Sequence, residues 1–130
     1  MAIYYIDGQF VPAEKAVIPV DDLAILRGIG VFDLLRTYDG EPYFLDAHID
    51  RLETSASRIG LTLPWSHDEI TAVVNQTLAQ NAIPEANIRI VVTGGSSADF
   101  MTPSGPPRLL VLISPVPRLP DHWYTKGIKI

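Results

Sequence analysis

The stretch Val31-Phe32-Asp33-Leu34-Leu35-Arg36-Thr37-Tyr38-Asp39-Gly40-Glu41-Pro42-Tyr43-Phe44-Leu45 sets the class of the fold. Val31 to Tyr38 is rich in β-branched, aromatic and other apolar residues, and Asp39-Gly40 tolerates the positive φ angles of a tight hairpin turn. Pro42 to Leu45 returns on the far side of that turn, so the segment predicts a β-hairpin. Period-two alternation puts Phe32, Leu34 and Arg36 on one face of the first strand. Ile3 to Ile6 and Gln9 to Val11 flank Asp7-Gly8 in the same manner and predict an earlier hairpin of unrelated sequence.

Beyond the second hairpin the period changes. Asp46 is a suitable N-cap, Ile49, Leu52, Ala56 and Ile59 recur at helical spacing, and Gly60 offers a stop. Ser66 followed by Glu69 is a capping box. It opens a second helix whose apolar stripe is Ile70, Val73, Val74 and Leu78, ending near Asn81. Ile88 to Thr93 and Arg108 to Ser114 read as nearly continuous apolar strands. The Gly-, Ser- and Pro-rich loop between them, Gly94 to Pro107, is either a substrate-side element or a disordered connection. Hairpins and runs replace regular βαβ alternation, which predicts an α+β fold: an antiparallel or mixed sheet with two main helices on one face. Pro115, Pro117 and Pro120 punctuate the end of this unit, and Gly127 to Ile130 reads as the start of another strand. The expected division is therefore a domain over residues 1–120, with residues 121–130 a linker into a second domain.

Composition narrows the functions available. With 130 residues, 47% hydrophobic and 19% charged, the chain has the balance of a single globular domain. A net charge of -5 gives no electrostatic reason to approach nucleic acid or an anionic membrane. No apolar run approaches a membrane span, and the first ten residues carry no signal-peptide pattern. The absence of cysteine removes disulfides and thiol catalysis, and the cytoplasm is the expected location.

Several chemistries are set aside by spacing. His48, His67 and His122 lack the short separations that bring two ligands to one metal, so no metal site is expected. Gly94-Gly95-Ser96-Ser97 lacks the Lys and spacing of a P-loop, and no Gly-x-Ser-x-Gly elbow is present. Asp21 and Asp22 precede a short helical stretch through Leu26 and read as capping residues.

Three ordered segments carry a resemblance: Tyr5-Ile6-Asp7-Gly8-Gln9-Phe10-Val11-Pro12, Arg27-Gly28-Ile29-Gly30-Val31-Phe32-Asp33 and His48-Ile49-Asp50-Arg51-Leu52. Together with Asp39-Gly40 and Phe44, they cover the chain to about Gly60 and resemble the N-terminal domain of class IV, pyridoxal-phosphate-dependent aminotransferases. The resemblance implies pyridoxal 5'-phosphate as cofactor, an amino acid and a 2-oxo acid as substrates, and a homodimer. Transfer from branched-chain or aliphatic amino acids is the leading expectation. D-amino acid transfer and aminodeoxychorismate lyase activity are alternatives, and a noncatalytic ligand-binding or dimerisation module is an alternative of another class.

Site residues follow by position. Arg51 matches the arginine that grips the cofactor phosphate, a task suited to a permanently charged fork of donors. On the residues alone, Arg51 could equally solvate its helix or pair with Asp50 or Glu53. Phe32 matches an aromatic position near the substrate pocket, although a Phe in a strand is as readily a core residue. Arg89 sits between Ile88 and Ile90, costly for a charge unless a carboxylate or ligand meets it or an edge strand lets it reach solvent. Branched-chain members often show Tyr-x-Arg here, whereas this chain has Asn87-Ile88-Arg89. Lys126 and Lys129 do not match the motif of the Schiff-base lysine. That lysine is expected beyond Ile130, so the 130 residues alone are expected to be inactive.

Overall fold

In the computed structural model, which describes residues 1–130, the chain begins with β1 (Ile3–Ile6), β2 (Gln9–Pro12), a 3-10 turn at Ala13–Lys15 and α1 (Leu23–Arg27). It continues through β3 (Gly30–Tyr38), β4 (Glu41–Pro42), α2 (Leu45–Arg58) and α3 (His67–Ala79). The last elements are β5 (Ala86–Thr93), β6 (Arg108–Pro115) and α4 (Asp121–Lys126). Both predicted hairpins form. Asp7-Gly8 and Asp39-Gly40 adopt positive φ at all four residues, the twist that suits two-residue hairpin turns.

The strands make one six-stranded sheet in the order β2-β1-β6-β5-β3-β4. Every pairing is antiparallel, which selects one of the two arrangements expected of an α+β fold. In the centre, Leu34 stands opposite Arg89 and Arg89 opposite Leu112. The β1 strand closes against β6 through Tyr5 opposite Val111, so strands about a hundred residues apart in sequence are neighbours in the sheet.

Alternation gives each strand one face toward the helices. Ile88, Ile90 and Val92 of β5 and Leu109, Val111 and Ile113 of β6 are fully buried there. They pack with Ile49, Leu52 and Ala56 of α2 and Ile70 and Val74 of α3. Each Val, Leu and Ile among them contributes roughly 1.5–3 kcal/mol by leaving water. The helices α2 and α3 pack on that face, and Phe32 and Leu34 are exposed on the opposite one. No helix is long and apolar enough to cross a membrane.

Local chemistry explains most boundaries. Ser66 and Glu69 form the full capping box at α3. Asp22 caps α1 by accepting the Ala24 N–H at 2.8 Å, whereas Asp21, read with it as a capping residue, instead accepts the Ser96 hydroxyl at 2.7 Å. Three further expectations are corrected. Asp46 does not cap α2: the helix begins at Leu45 behind Phe44, which has φ 52° and no side-chain cap bond, and Asp46 lies in the first turn. The strand expected over Pro42 to Leu45 ends at Pro42, which cannot donate to a ladder. The strand expected at Gly127 to Ile130 is absent. Asp121–Lys126 is helical, and Gly127 to Ile130 carries no regular structure.

Candidate functional site

Asp33 lies on β3 at the parity of Leu35 and Thr37, facing the helices, and is 3% exposed. A carboxylate on that face needs partners, and α2 supplies two. Arg51 donates from Nε to Asp33 Oδ2 at 2.6 Å and from Nη2 to Asp33 Oδ1 at 2.8 Å. His48 Nδ1 lies 2.6 Å from the same Oδ1. His48 and Arg51 are three residues apart on one helical face, so a single strand residue orients both. Burial pushes the Asp33 carboxyl up, but the hydrogen bonds from Arg51 and His48, with their charges, outweigh it and hold it below the usual range. The same bond holds the Arg51 guanidinium above its ordinary value, followed by the attraction of the Asp33 charge.

The alternatives for Arg51 on sequence grounds, pairing with Asp50 or Glu53, are not what forms. Its partner is Asp33, from another element. The outer edge of the fork stays free: Nη1 has no hydrogen-bond partner in the chain, and the side chain is 65% exposed. Beside it is a depression of about 260 Å³ lined by Phe44, Ala47, His48 and Arg51. A guanidinium pinned along one edge can present two parallel N–H groups to an anion with little further loss of side-chain freedom.

Phe32 and Arg89 lie on the other face of the sheet. Phe32 is 59% exposed, so it is not the core residue that its type allowed. Arg89 belongs to an inner strand rather than an edge strand, and it reaches solvent from the face opposite α2 and α3. Its guanidinium carbon is 5.1 Å from the Phe32 ring centroid, a cation–π distance. A shallow depression of about 230 Å³ touches Arg89, Asn87, Leu34, Tyr4, Leu112 and Ser114. The fold thus brings Phe32 and Arg89 together, and separates both from the Asp33–Arg51 pair by the thickness of β3.

The Gly94 to Pro107 loop is ordered by hydrogen bonds, which removes the disordered alternative. Leu23 N donates to Gly95 O, Gly94 N to Ile29 O, and Arg27 Nη1 to Met101 O at 2.9 Å. Gly95 has φ 77°, and a Cβ there would collide with the carbonyl of Pro106, so only glycine lets the two limbs of the loop meet. Asp99 accepts the N–H groups of Thr102 and Met101 and the hydroxyl of Ser97, and these hold its carboxyl far below the usual range. Arg108 anchors the base, 2.8 Å from the fully buried Asp22. Between α2 and α3, His67 bridges Asp46 at 3.1 Å and Asp50 at 3.3 Å. The Asp46 hydrogen bond raises its pKa against burial, aided by the charges of Asp50, Glu53 and Asp46. Ligand atoms of Asp50, Glu53 and His67 all lie within 4.8 Å of one another, a juxtaposition that histidine spacing alone does not show.

Asp33 and Arg108 are the site and anchor residues that sequence reasoning missed. The signal for Asp33 was present: it shares the parity of Leu35, so it had to face the core.

A family profile described as Amino-transferase class IV matches residues 30–130. The chain belongs to the class IV aminotransferase family. This class IV chain is 38% identical over 117 residues to a Methanocaldococcus jannaschii protein named as a branched-chain-amino-acid aminotransferase, covering 88% of the chain and 41% of that protein. It is 33% identical over 90 residues to a Listeria monocytogenes D-alanine aminotransferase, covering 69% and 31%. A Bacillus subtilis aminodeoxychorismate lyase is 35% identical over 86 residues, covering 66% and 29%. Among solved structures, a hypothetical aminotransferase from Mycobacterium tuberculosis in its PLP-bound form superposes with a TM-score of 0.73 at 31% identity, over 89% of this chain and 40% of that one. The branched-chain aminotransferase of the thermophilic archaeon Thermoproteus uzoniensis, solved with norvaline, has the same fold, with a TM-score of 0.80 at 24% identity over 90% and 41%. The class IV chain spans less than half the length of each of these proteins.

Proposed function

We propose that this chain supplies the phosphate grip and one wall of the substrate pocket in a pyridoxal-phosphate-dependent aminotransferase that moves an amino group between an amino acid and a 2-oxo acid. The observation that carries the reading is the free edge of Arg51, held in place by Asp33 and beside an open depression. Two unpaired N–H groups on a permanent cation fit two phosphate oxygens. In that role Arg51 binds the phosphate, Asp33 fixes the fork, and His48 lends its second ring nitrogen to the same depression. Bound pyridoxal phosphate would act as the electron sink for chemistry at the amino acid Cα.

Arg89 and Phe32, on the face opposite α2 and α3, are assigned to the substrate pocket: the guanidinium takes a carboxylate and the ring excludes water beside it. An aliphatic or branched-chain amino acid is the first choice of substrate, supported by the 38% identical relative. D-amino acids and aminodeoxychorismate follow, from the other relatives' names. The Schiff-base lysine belongs to residues outside these 130, and Lys15, Lys126 and Lys129 are all exposed. We assign the working enzyme to a cytoplasmic homodimer and expect no transamination by the 130 residues alone.

The test is titration of the protein with pyridoxal 5'-phosphate, with Arg51→Ala in parallel. Binding that the substitution abolishes is expected. Undiminished binding to the variant refutes the grip, and borohydride trapping of the cofactor on Lys15, Lys126 or Lys129 refutes the division of labour. Assays of the full-length enzyme with L-leucine, D-alanine and aminodeoxychorismate identify the substrate class.

A further inference from the structure

Phe44 stands in a conformation that the fold does not explain. Its φ of 52° and ψ of 41° lie in the left-handed region, where a bulky side chain is a genuine outlier. Of the other non-glycine residues at positive φ, Asp7 and Asp39 each precede glycine in a hairpin turn and are residue types that tolerate it, and Phe100, at φ 59°, lies in the Gly94 to Pro107 loop rather than at a helix start. Phe44 is neither Asx nor Gly. At the N-cap of α2 it also forgoes the side-chain bond that Ser, Asn or Asp would make.

Nor does the core compensate. The Phe44 side chain is 65% exposed, and its aromatic partner is Tyr43, edge-on with centroids 4.4 Å apart. Strain, a missing cap and exposed apolar surface thus coincide at one residue. Backbone outliers of this kind collect at ligand sites, where placement of a side chain matters more than stability.

Position supplies the reason. Phe44, Ala47, His48 and Arg51 follow at intervals of three, one and three along α2, and together they line the depression of about 260 Å³. Ala47 contributes only a methyl group, leaving the space between the ring and the guanidinium open. We propose that Phe44 is a ligand-binding wall of the anion site at Arg51, its ring excluding water from the free edge of the guanidinium when a phosphate monoester is bound. Excluding water lowers the local dielectric and strengthens an ionic hydrogen bond. This inference rests on the reading of Arg51 as the phosphate grip.

The test uses Phe44→Asn, which suits both the left-handed backbone and the N-cap, with Phe44→Tyr and Arg51→Ala as controls. Pyridoxal 5'-phosphate and inorganic phosphate are titrated separately into each protein, followed by the side-chain NMR signals of Arg51 and His48, and each protein is melted. For F44N the melting temperature should hold or rise while affinity for both probes falls about tenfold, equivalent to roughly 1.4 kcal/mol. F44Y should restore binding. Parental affinity in F44N overturns the wall. So does weakening toward pyridoxal phosphate alone, or a loss of melting temperature in F44N that F44Y leaves uncorrected. Parental affinity in R51A instead overturns the anion site, and a parent that binds neither probe overturns both.

Discussion

Replacing Asp33 by Asn keeps the shape of the side chain and removes the charge that Arg51 and His48 share. Three hydrogen bonds converge on this carboxylate, at 2.6, 2.8 and 2.6 Å, and it is 3% exposed. A hydrogen bond to a charged group contributes roughly 1.5–3 kcal/mol. Asn retains one acceptor oxygen but turns an NH2 toward other donors, so at least one bond is lost. The Arg51 side chain is 65% exposed, and water re-solvates it, which keeps the cost below that of a wholly buried pair. The expected loss is about 2 kcal/mol, or roughly 8 °C in melting temperature for a domain of this size. Because the folded-state pKa of Asp33 is lowered, its contribution is complete above the unfolded value of 3.8 and is lost as pH falls through the folded value. Parent and D33N should therefore differ most at neutral pH and converge in acid. Urea unfolding followed by circular dichroism at pH 7 and about pH 2.5 measures both. A neutral-pH difference below about 0.5 kcal/mol, less than a typical net hydrogen bond contributes, would refute the pairing as a stabilising contact. A difference unchanged in acid would refute its ionic character.

Three further outcomes can be checked in the same way. Thr37→Val removes the hydroxyl that donates to Glu85 at 2.7 Å and accepts the buried Ala86 N–H at 2.8 Å, so unfolding should cost about 1–3 kcal/mol less. Asp22→Ala strands Arg108, whose side chain is 17% exposed and whose other acid, Asp7, is 3.6 Å away. A loss of about 3 kcal/mol in urea unfolding is expected, with faster hydrogen exchange over Gly94 to Pro107. His67 should titrate by NMR above the ordinary histidine value of 6.5. A raised folded-state pKa means that its stabilising clamp is complete below 6.5 and fades as pH rises through the folded value. His67→Gln should accordingly matter most in mild acid and little at alkaline pH.

What the sequence made legible was what neighbouring residues decide. Asp39-Gly40 and Asp7-Gly8 specify their turns, Ser66 and Glu69 specify a helix start, and the spacing of Ile49, Leu52 and Ala56 specifies a buried face. Asp46 is locally suited to capping, but α2 begins at Leu45 behind Phe44, so its carboxylate lies in the first turn and meets His67 of the next helix. Arg51 is legible through its motif, but its partner is 18 residues away on a strand, beyond any helical spacing rule. Gly127 to Ile130 has strand-like composition but joins none of the six strands of this sheet, because pairing is decided by a partner that composition does not name.

The pairing of β1 with β6 sets an order on how the chain can fold as it is made. Ile3 is held by Asn81, and Tyr5 stands opposite Val111, so the first strand is made about a hundred residues before the strand that it pairs with. At roughly 5–20 residues per second, about a hundred residues take some 5–20 s to synthesise. Through that interval the first hairpin has only itself to pair with, and an isolated hairpin is marginal in water. The β3–β5 pairing can assemble earlier, on the helices between them. The N-terminal hairpin is thus a late closure on a preformed core, and early chain termination would release a protein whose β5 edge is open.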